Sequence, residues 1–216
     1  MDGLQLIYFA DPMCSWCYGF SPVLQELRSR YAEVLPIRVV MGGLRPGTDK
    51  PMPEEARRNL VHHWEEIGRL AGVPFSPALA DREGFIYDTD PAARAVVLAR
   101  RKGGDAAGLD YLAVAHAAFY AQGRDVTQPP VLAEIADELG LGIEDFADKL
   151  EAEDLKTETW RDYAISQRAG VTGFPTLIVG PNVDGTYAAI TRGYNELFSV
   201  TTGIDRWLAH VRAAAE

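Results

Sequence analysis

Strand-forming sequence occurs at the two ends of this chain and hardly anywhere between them. Residues 4–9 (LQLIYF) and 36–41 (PIRVVM) are short apolar runs. The segment between them has helical spacing, with Cys17, Phe20, Leu24, Leu27 and Tyr31 recurring at gaps of 3, 4, 3 and 4. After a Gly/Pro-rich loop, roughly 42–53, helical periodicity dominates to about residue 169. Strand signals return at 175–179 (PTLIV) and 186–191 (TYAAIT), separated by the turn chemistry of Gly180-Pro181-Asn182-Val183-Asp184-Gly185. A last helix follows, with Leu197, Val200, Ile204, Trp207, Leu208 and Val211 on one side. Two strands cannot bury a sheet, so neither end is stable alone. Joining the ends into one central sheet resolves this. The expected fold is therefore α/β, with β-α-β and β-β-α halves (1–45 and 170–216) around a large all-helical insertion (46–169).

Inside that block, Leu60, Trp64, Ile67 and Ala71 mark one helix face, and Leu109, Leu112, His116 and Phe119 another. Asp90-Pro91 reads as an N-cap and first-turn proline for a helix through Arg101, which Gly103-Gly104-Asp105 ends. Further helices are predicted over about 130–139, 143–150 and 155–168, with the acidic stretch 151–154 as a break. Pro22, within the first helix, predicts a kink or a late start to regular hydrogen bonding.

Charge narrows the class of partner. A formal net charge of −10 repels phosphates, so neither nucleic acid nor an anionic membrane surface is an expected partner. No apolar run approaches the ~18 residues a membrane span needs. The start MDGLQLIYFADPMC has no basic n-region, and a cytoplasmic location is expected.

The chain has 2 cysteines, Cys14 and Cys17, in the run Cys14-Ser15-Trp16-Cys17. A bridge so short closes a tiny ring and removes little entropy from the unfolded chain, so the pair is better suited to reactivity than to stapling. Cys14 falls in the first turn of the predicted helix, where unpaired N–H donors favour a thiolate. Cys17 lies one turn further in, on the same face, and should be more buried. The pair alone leaves other readings open. Zinc lacks a second cysteine pair, and His62, His63, His116 and His210 have no matching spacing, so no metal is expected. Two inert core thiols remain a third possibility.

A second feature favours redox chemistry: Gly170-Val171-Thr172-Gly173-Phe174-Pro175-Thr176-Leu177. A proline at the start of a sheet strand has no ladder donor and demands a reason. A cis Phe174–Pro175 bond would turn the chain beside the cysteines and free the backbone of Phe174 for an extended peptide or glutathione. His116, within an apolar stripe, reads as a hydrogen-bonded core histidine. His62-His63-Trp64-Glu65-Glu66 is not a metal motif and reads as a solvated helix face.

On DPMCSWC after the first strand, the helical block, and GVTGFPT before the third strand, the chain resembles the thioredoxin superfamily and its DsbA-like disulfide oxidoreductases and isomerases. The resemblance implies a thioredoxin-like fold, Cys14 as nucleophile, Cys17 as resolving thiol and Pro175 as a cis proline. It also implies a dithiol enzyme acting on protein or small-molecule disulfides, with no cofactor and with glutathione as a candidate co-substrate. Ser15, Trp16, Phe174 and Pro175 are the expected substrate contacts. The chain departs from its relatives at three places. Ser15-Trp16 replaces the histidine that strongly oxidising members carry between the cysteines. Tyr8 occupies the position of the buried thioredoxin aspartate. Phe174 replaces a smaller Val or Thr. Asp11 would raise the Cys14 pKa if it faced that thiol, and an Asp-Pro turn role is favoured. A glutathione-dependent isomerase or transferase, and a non-catalytic binding or chaperone-like module, are the competing functional classes.

Overall fold

Apolar residues on both faces of one strand call for cover on both sides, and β1 (Gln5–Ala10) receives it. Leu6, Tyr8 and Ala10 point into the main core, while Ile7 and Phe9 point into a smaller cluster with Val40. The structure, a computed structural model, describes residues 3–79 and 82–214. Residues 1–2, 80–81 and 215–216, which fall within the expected domain ranges, lie outside the described residues. β1 pairs parallel with β2 (Ile37–Met41) and antiparallel with β3 (Thr176–Gly180). β3 in turn carries β4 (Ala188–Arg192), giving one four-stranded sheet in the order β2-β1-β3-β4. The two ends of the chain are thus joined, as the strand count requires. The antiparallel β3–β4 pair shifts register between Leu177 and Ile178.

The first helical segment is divided into α1 (Ser15–Gly19) and α2 (Ser21–Arg30). Pro22 has no N–H to continue the ladder and sits in the first turn of α2, where none is needed. The Ser21 hydroxyl bridges the gap by donating to the Cys17 carbonyl at 3.4 Å. Between the strand pairs come α3 (Glu54–Ala71), α4 (Asp90–Tyr120), α5 (Pro129–Glu138), α6 (Phe146–Glu151) and α7 (Glu153–Arg168), and α8 (Leu197–Ala214) closes the fold.

Several boundaries differ from the sequence expectation. Thr89, not Asp90, is the N-cap residue of α4: its carbonyl accepts from the Ala93 amide and Asp90 already turns with the helix, while the Thr89 hydroxyl accepts from the Arg45 amide outside it. The break at Gly103-Gly104 is a kink within α4, with Gly104 at φ 76°. α6 starts at Phe146, and α7 begins inside the acidic stretch, where Glu153 and Asp154 favour a helix N-terminus.

The edge of the sheet at β2 is closed by side chains. The Val39 amide donates to Asp105 Oδ1 (3.0 Å) and the Met41 amide to Asp162 Oδ2 (2.9 Å). Arg100 Nη1 donates to the Val39 carbonyl (2.7 Å) and to Asp162 Oδ2 (2.7 Å), and Arg100 Nη2 to Asp162 Oδ1 (3.1 Å). Three residues of α4 and α7 thereby satisfy backbone groups that would otherwise form an exposed edge. The same contacts seat both helices against β2.

Candidate functional site

The turn that carries the cysteines is held from several directions by Asp11. Its carboxylate accepts from the Met13 amide (2.9 Å) and the Leu44 amide (2.8 Å), tying the turn to the loop after β2. Its carbonyl accepts from the Cys14 amide (3.0 Å) and lies 3.0 Å from His116 Nε2 of α4. The Tyr87 hydroxyl donates to the Met13 carbonyl (2.6 Å) and shares a hydrogen bond with the Tyr120 hydroxyl (3.0 Å). Asp11 therefore has the turn role, and His116 is a hydrogen-bonded histidine, 2% exposed.

Cys14 and Cys17 are free and buried, at 6% and 0% exposure. Cys14 is the N-cap residue of α1, yet its thiol makes no capping bond to the backbone of that turn. Cys14 Sγ instead lies 3.6 Å from the Phe174 carbonyl, across 160 residues of sequence. Burial raises the Cys17 thiol well above the ordinary range, and its hydrogen-bonded neighbour Cys14 adds to this. A hydrogen bond from the Asp11 main chain works against the shift. The arrangement keeps the proton on Cys17 while Cys14 stands nearer the surface.

The Phe174–Pro175 peptide is cis. Pro175 is buried, and its carbonyl accepts from the Gly193 amide at 2.7 Å. The Phe174 ring packs against Gly42, where a Cβ would overlap the ring. Ser15 and Trp16 are half-buried at the mouth of the site. The Trp16 ring meets His63 of α3 edge-on (5.5 Å between centroids) and Tyr194 at a tilt (5.5 Å). His63 is thus part of an aromatic rim and not only of a solvated helix face. Neither His63 nor Tyr194 carried a local sequence signal, because the rim forms only when α1, α3 and the loop after β4 converge. Among the described residues no group of three or more His, Cys, Asp or Glu side chains could hold a metal ion. Nor is any helix long and apolar enough to cross a membrane.

Two buried groups below the turn titrate in opposite senses. Burial pushes the Asp11 carboxyl up from 3.8 to about 6, against the pull of the Leu44 and Met13 amides. Burial also pushes His116 down from 6.5 to about 4, against its bond to the Asp11 carbonyl. Stability linked to Asp11 is fully present below pH 3.8 and is lost as pH rises through 6. Stability linked to His116 is present above pH 6.5 and is lost as pH falls through 4. The two nearly cancel in the native protein. Replacing His116 by Gln, which keeps a donor for the Asp11 carbonyl, removes one of them. The variant is expected to gain about 2–3 kcal/mol relative to wild type between pH 7 and pH 4.5. Urea unfolding at the two pH values measures this, and an unchanged difference would overturn it.

Residues 5–193 match the family described as DSBA-like thioredoxin domain. A candidate protein disulfide isomerase from Nitrosomonas europaea is similar in structure, with a TM-score of 0.88 and 33% identity over 97% of this chain and 99% of that one. The cytosolic disulfide reductase DsbM from Pseudomonas aeruginosa, also solved with GSH, is similar at a TM-score of 0.75 and 29% identity, over 95% of this chain and 98% of that one. Among curated proteins, the ClpXP adapter protein SpxH of Halalkalibacterium halodurans is 23% identical over 88% of this chain. The SpxH of Bacillus subtilis is 23% identical over 81% of it. The chain spans 63% and 57% of the lengths of these two adapters. With the matched family model covering β1 to β4 and the dithiol turn between β1 and α1, the chain belongs to the DSBA-like thioredoxin domain family.

Proposed function

We propose that the chain is a thiol–disulfide oxidoreductase that reduces or isomerises disulfides in a reducing, cytosolic compartment. The observation that carries this is the contact of Cys14 Sγ with the Phe174 carbonyl, which sets a free, buried dithiol against the loop before Pro175. In the proposed reaction the Cys14 thiolate attacks one sulfur of a disulfide RS–SR′. A Cys14–SR bond forms, the substrate S–S bond breaks, and R′S⁻ leaves and takes a proton from solvent. Cys17 then loses its proton and attacks Cys14 Sγ, forming the Cys14–Cys17 disulfide and expelling RS⁻. The dithiol is oxidised by two electrons and the substrate is reduced by two. Two molecules of a small thiol such as glutathione return the pair to the dithiol and leave as their own disulfide, and the solved DsbM complex with GSH supports that co-substrate. No other cofactor is needed.

On this reading Ser15, Trp16 and Phe174 line the substrate path, and the substrates are protein or small-molecule disulfides. Residues 1–45 and 170–216 carry the chemistry, while 46–169 supply surface that selects what enters. The test is reduction of insulin, or of a mixed glutathione disulfide, by wild type and Cys14→Ser. Activity is expected to fall to background in the variant, and equal rates would overturn the proposal.

The similarity to SpxH favours one further reading, a binding module without turnover. Thiol alkylation separates the two. An adapter role would be favoured if neither cysteine reacted faster than a free thiol and no Cys14–Cys17 disulfide formed.

A further inference from the structure

The Tyr8 hydroxyl is the one feature of the dithiol region with no task so far. Tyr8 lies in the middle of β1, paired to Val39 on one side and Leu177 on the other, and is 0% exposed. Its ring stacks on Phe20 at 6.0 Å, so both backbone and ring are held. Its hydroxyl is buried and makes no well-formed hydrogen bond, the side chain within its reach being the Cys17 thiol. Such a group costs stability unless something is gained by keeping it. The polar groups that act on it are the thiols of Cys17 and Cys14, Cys17 above all.

We infer that the Tyr8 hydroxyl is the hydrogen-bond donor that stabilises the Cys17 thiolate during the resolving step. This rests on the proposed dithiol reaction and assigns a catalytic residue within it. While Cys17 is a thiol, the hydroxyl has only a weak contact with it. When Cys17 loses its proton, which the expelled RS⁻ finally takes up, and turns its sulfur on Cys14, negative charge develops at a fully buried atom away from bulk water. The preplaced O–H then makes a charge-assisted bond far stronger than its resting contact with a neutral thiol. An interaction that strengthens as charge develops accelerates the step instead of merely tightening the ground state. The Tyr8 proton stays on oxygen throughout, since burial and the two thiols hold its pKa well above the ordinary value.

The other titratable groups around Cys17 do not compete for this role. Cys14 is the partner in the bond being made. Both carboxylate oxygens of Asp11 are occupied by the Met13 and Leu44 amides. His116 is turned to the Asp11 carbonyl, and the Tyr87 and Tyr120 hydroxyls are engaged with each other and, for Tyr87, with Met13.

The test is Tyr8→Phe, which removes one oxygen that makes no well-formed hydrogen bond in the fold. Reduced protein is mixed with 5,5′-dithiobis(2-nitrobenzoate), and thionitrobenzoate release is followed by stopped flow. The first phase reports attack by Cys14, and the second reports displacement from Cys14 by Cys17. The variant is expected to keep the first phase and slow the second about tenfold at pH 7, the scale of one lost hydrogen bond to a charged group. The pH midpoint of the second phase should move upward. An unchanged second phase would overturn the role of Tyr8. A change common to both phases would also overturn it, by assigning Tyr8 to packing alone. A wild-type protein without any second phase would instead overturn Cys17 as the resolving thiol, and this inference with it.

Discussion

Replacing Asp162 by alanine is expected to destabilise the protein by about 3 kcal/mol, the lower end of what breaking a buried ion pair costs. Asp162 has a side chain only 4% exposed, opposite an Arg100 side chain at 15%. Its two oxygens take both Arg100 Nη1 and Nη2 and the Met41 amide. Truncation leaves a buried guanidinium and a strand amide short of partners at once. Glu158, 3.3 Å from Arg100 Nη2, compensates in part, which is why the expected loss is not larger. Asp162→Asn keeps one acceptor for the Met41 amide and should cost clearly less than alanine. Urea unfolding at neutral pH measures both. A loss below about 1 kcal/mol for the alanine variant would mean that α7 is not held on β2 by this pair.

The second large effect is expected at Gly42. A methyl group there would overlap the Phe174 ring, so the ring must move. Overfilling of this kind costs about 1–3 kcal/mol. The ring belongs to the residue whose carbonyl faces Cys14 Sγ, so displacement should also disturb the dithiol. Gly42→Ala is therefore expected to lower both stability and the rate of Cys14 alkylation. Phe174→Ala removes the obstacle. The double variant should then be more stable than the sum of the two single losses predicts, because neighbours that share a contact are not additive. Strict additivity in a double-mutant cycle would show that the two residues do not press on each other.

What could be read from the sequence depended on range. The joined sheet was legible because the strand count at each end leaves no other way to bury β1 and β3. Cys14, Cys17 and the Phe174-Pro175 step were legible as candidates because each breaks a local rule, a reactive pair too close to staple and a proline where a ladder donor is missing. Features built from distant side chains were not. Asp105 and Asp162 look like ordinary charges on helix surfaces until β2 is placed beside them. Gly42 reads as a loop glycine, and only the packing of Phe174 explains why it has no side chain. His63 gives no sign that its neighbour is Trp16. Thr89 lost the N-cap assignment to Asp90 because an Asp-Pro pair is the stronger local signal, while the competing bond to Arg45 is tertiary.

The closure of β2 also has a consequence for the order in which the chain can be completed during synthesis. β2 leaves the ribosome early, but the side chains that cover its edge arrive only with α4 and α7, and the second neighbour of β1 arrives later still. Until residues 162 and 176–180 have emerged, the strand beneath the dithiol has an open flank and Cys14 has no Phe174 carbonyl to meet. For most of translation the two thiols are therefore carried on an unfinished sheet. The nascent chain depends on its surroundings to keep them reduced, and the finished protein shelters them itself.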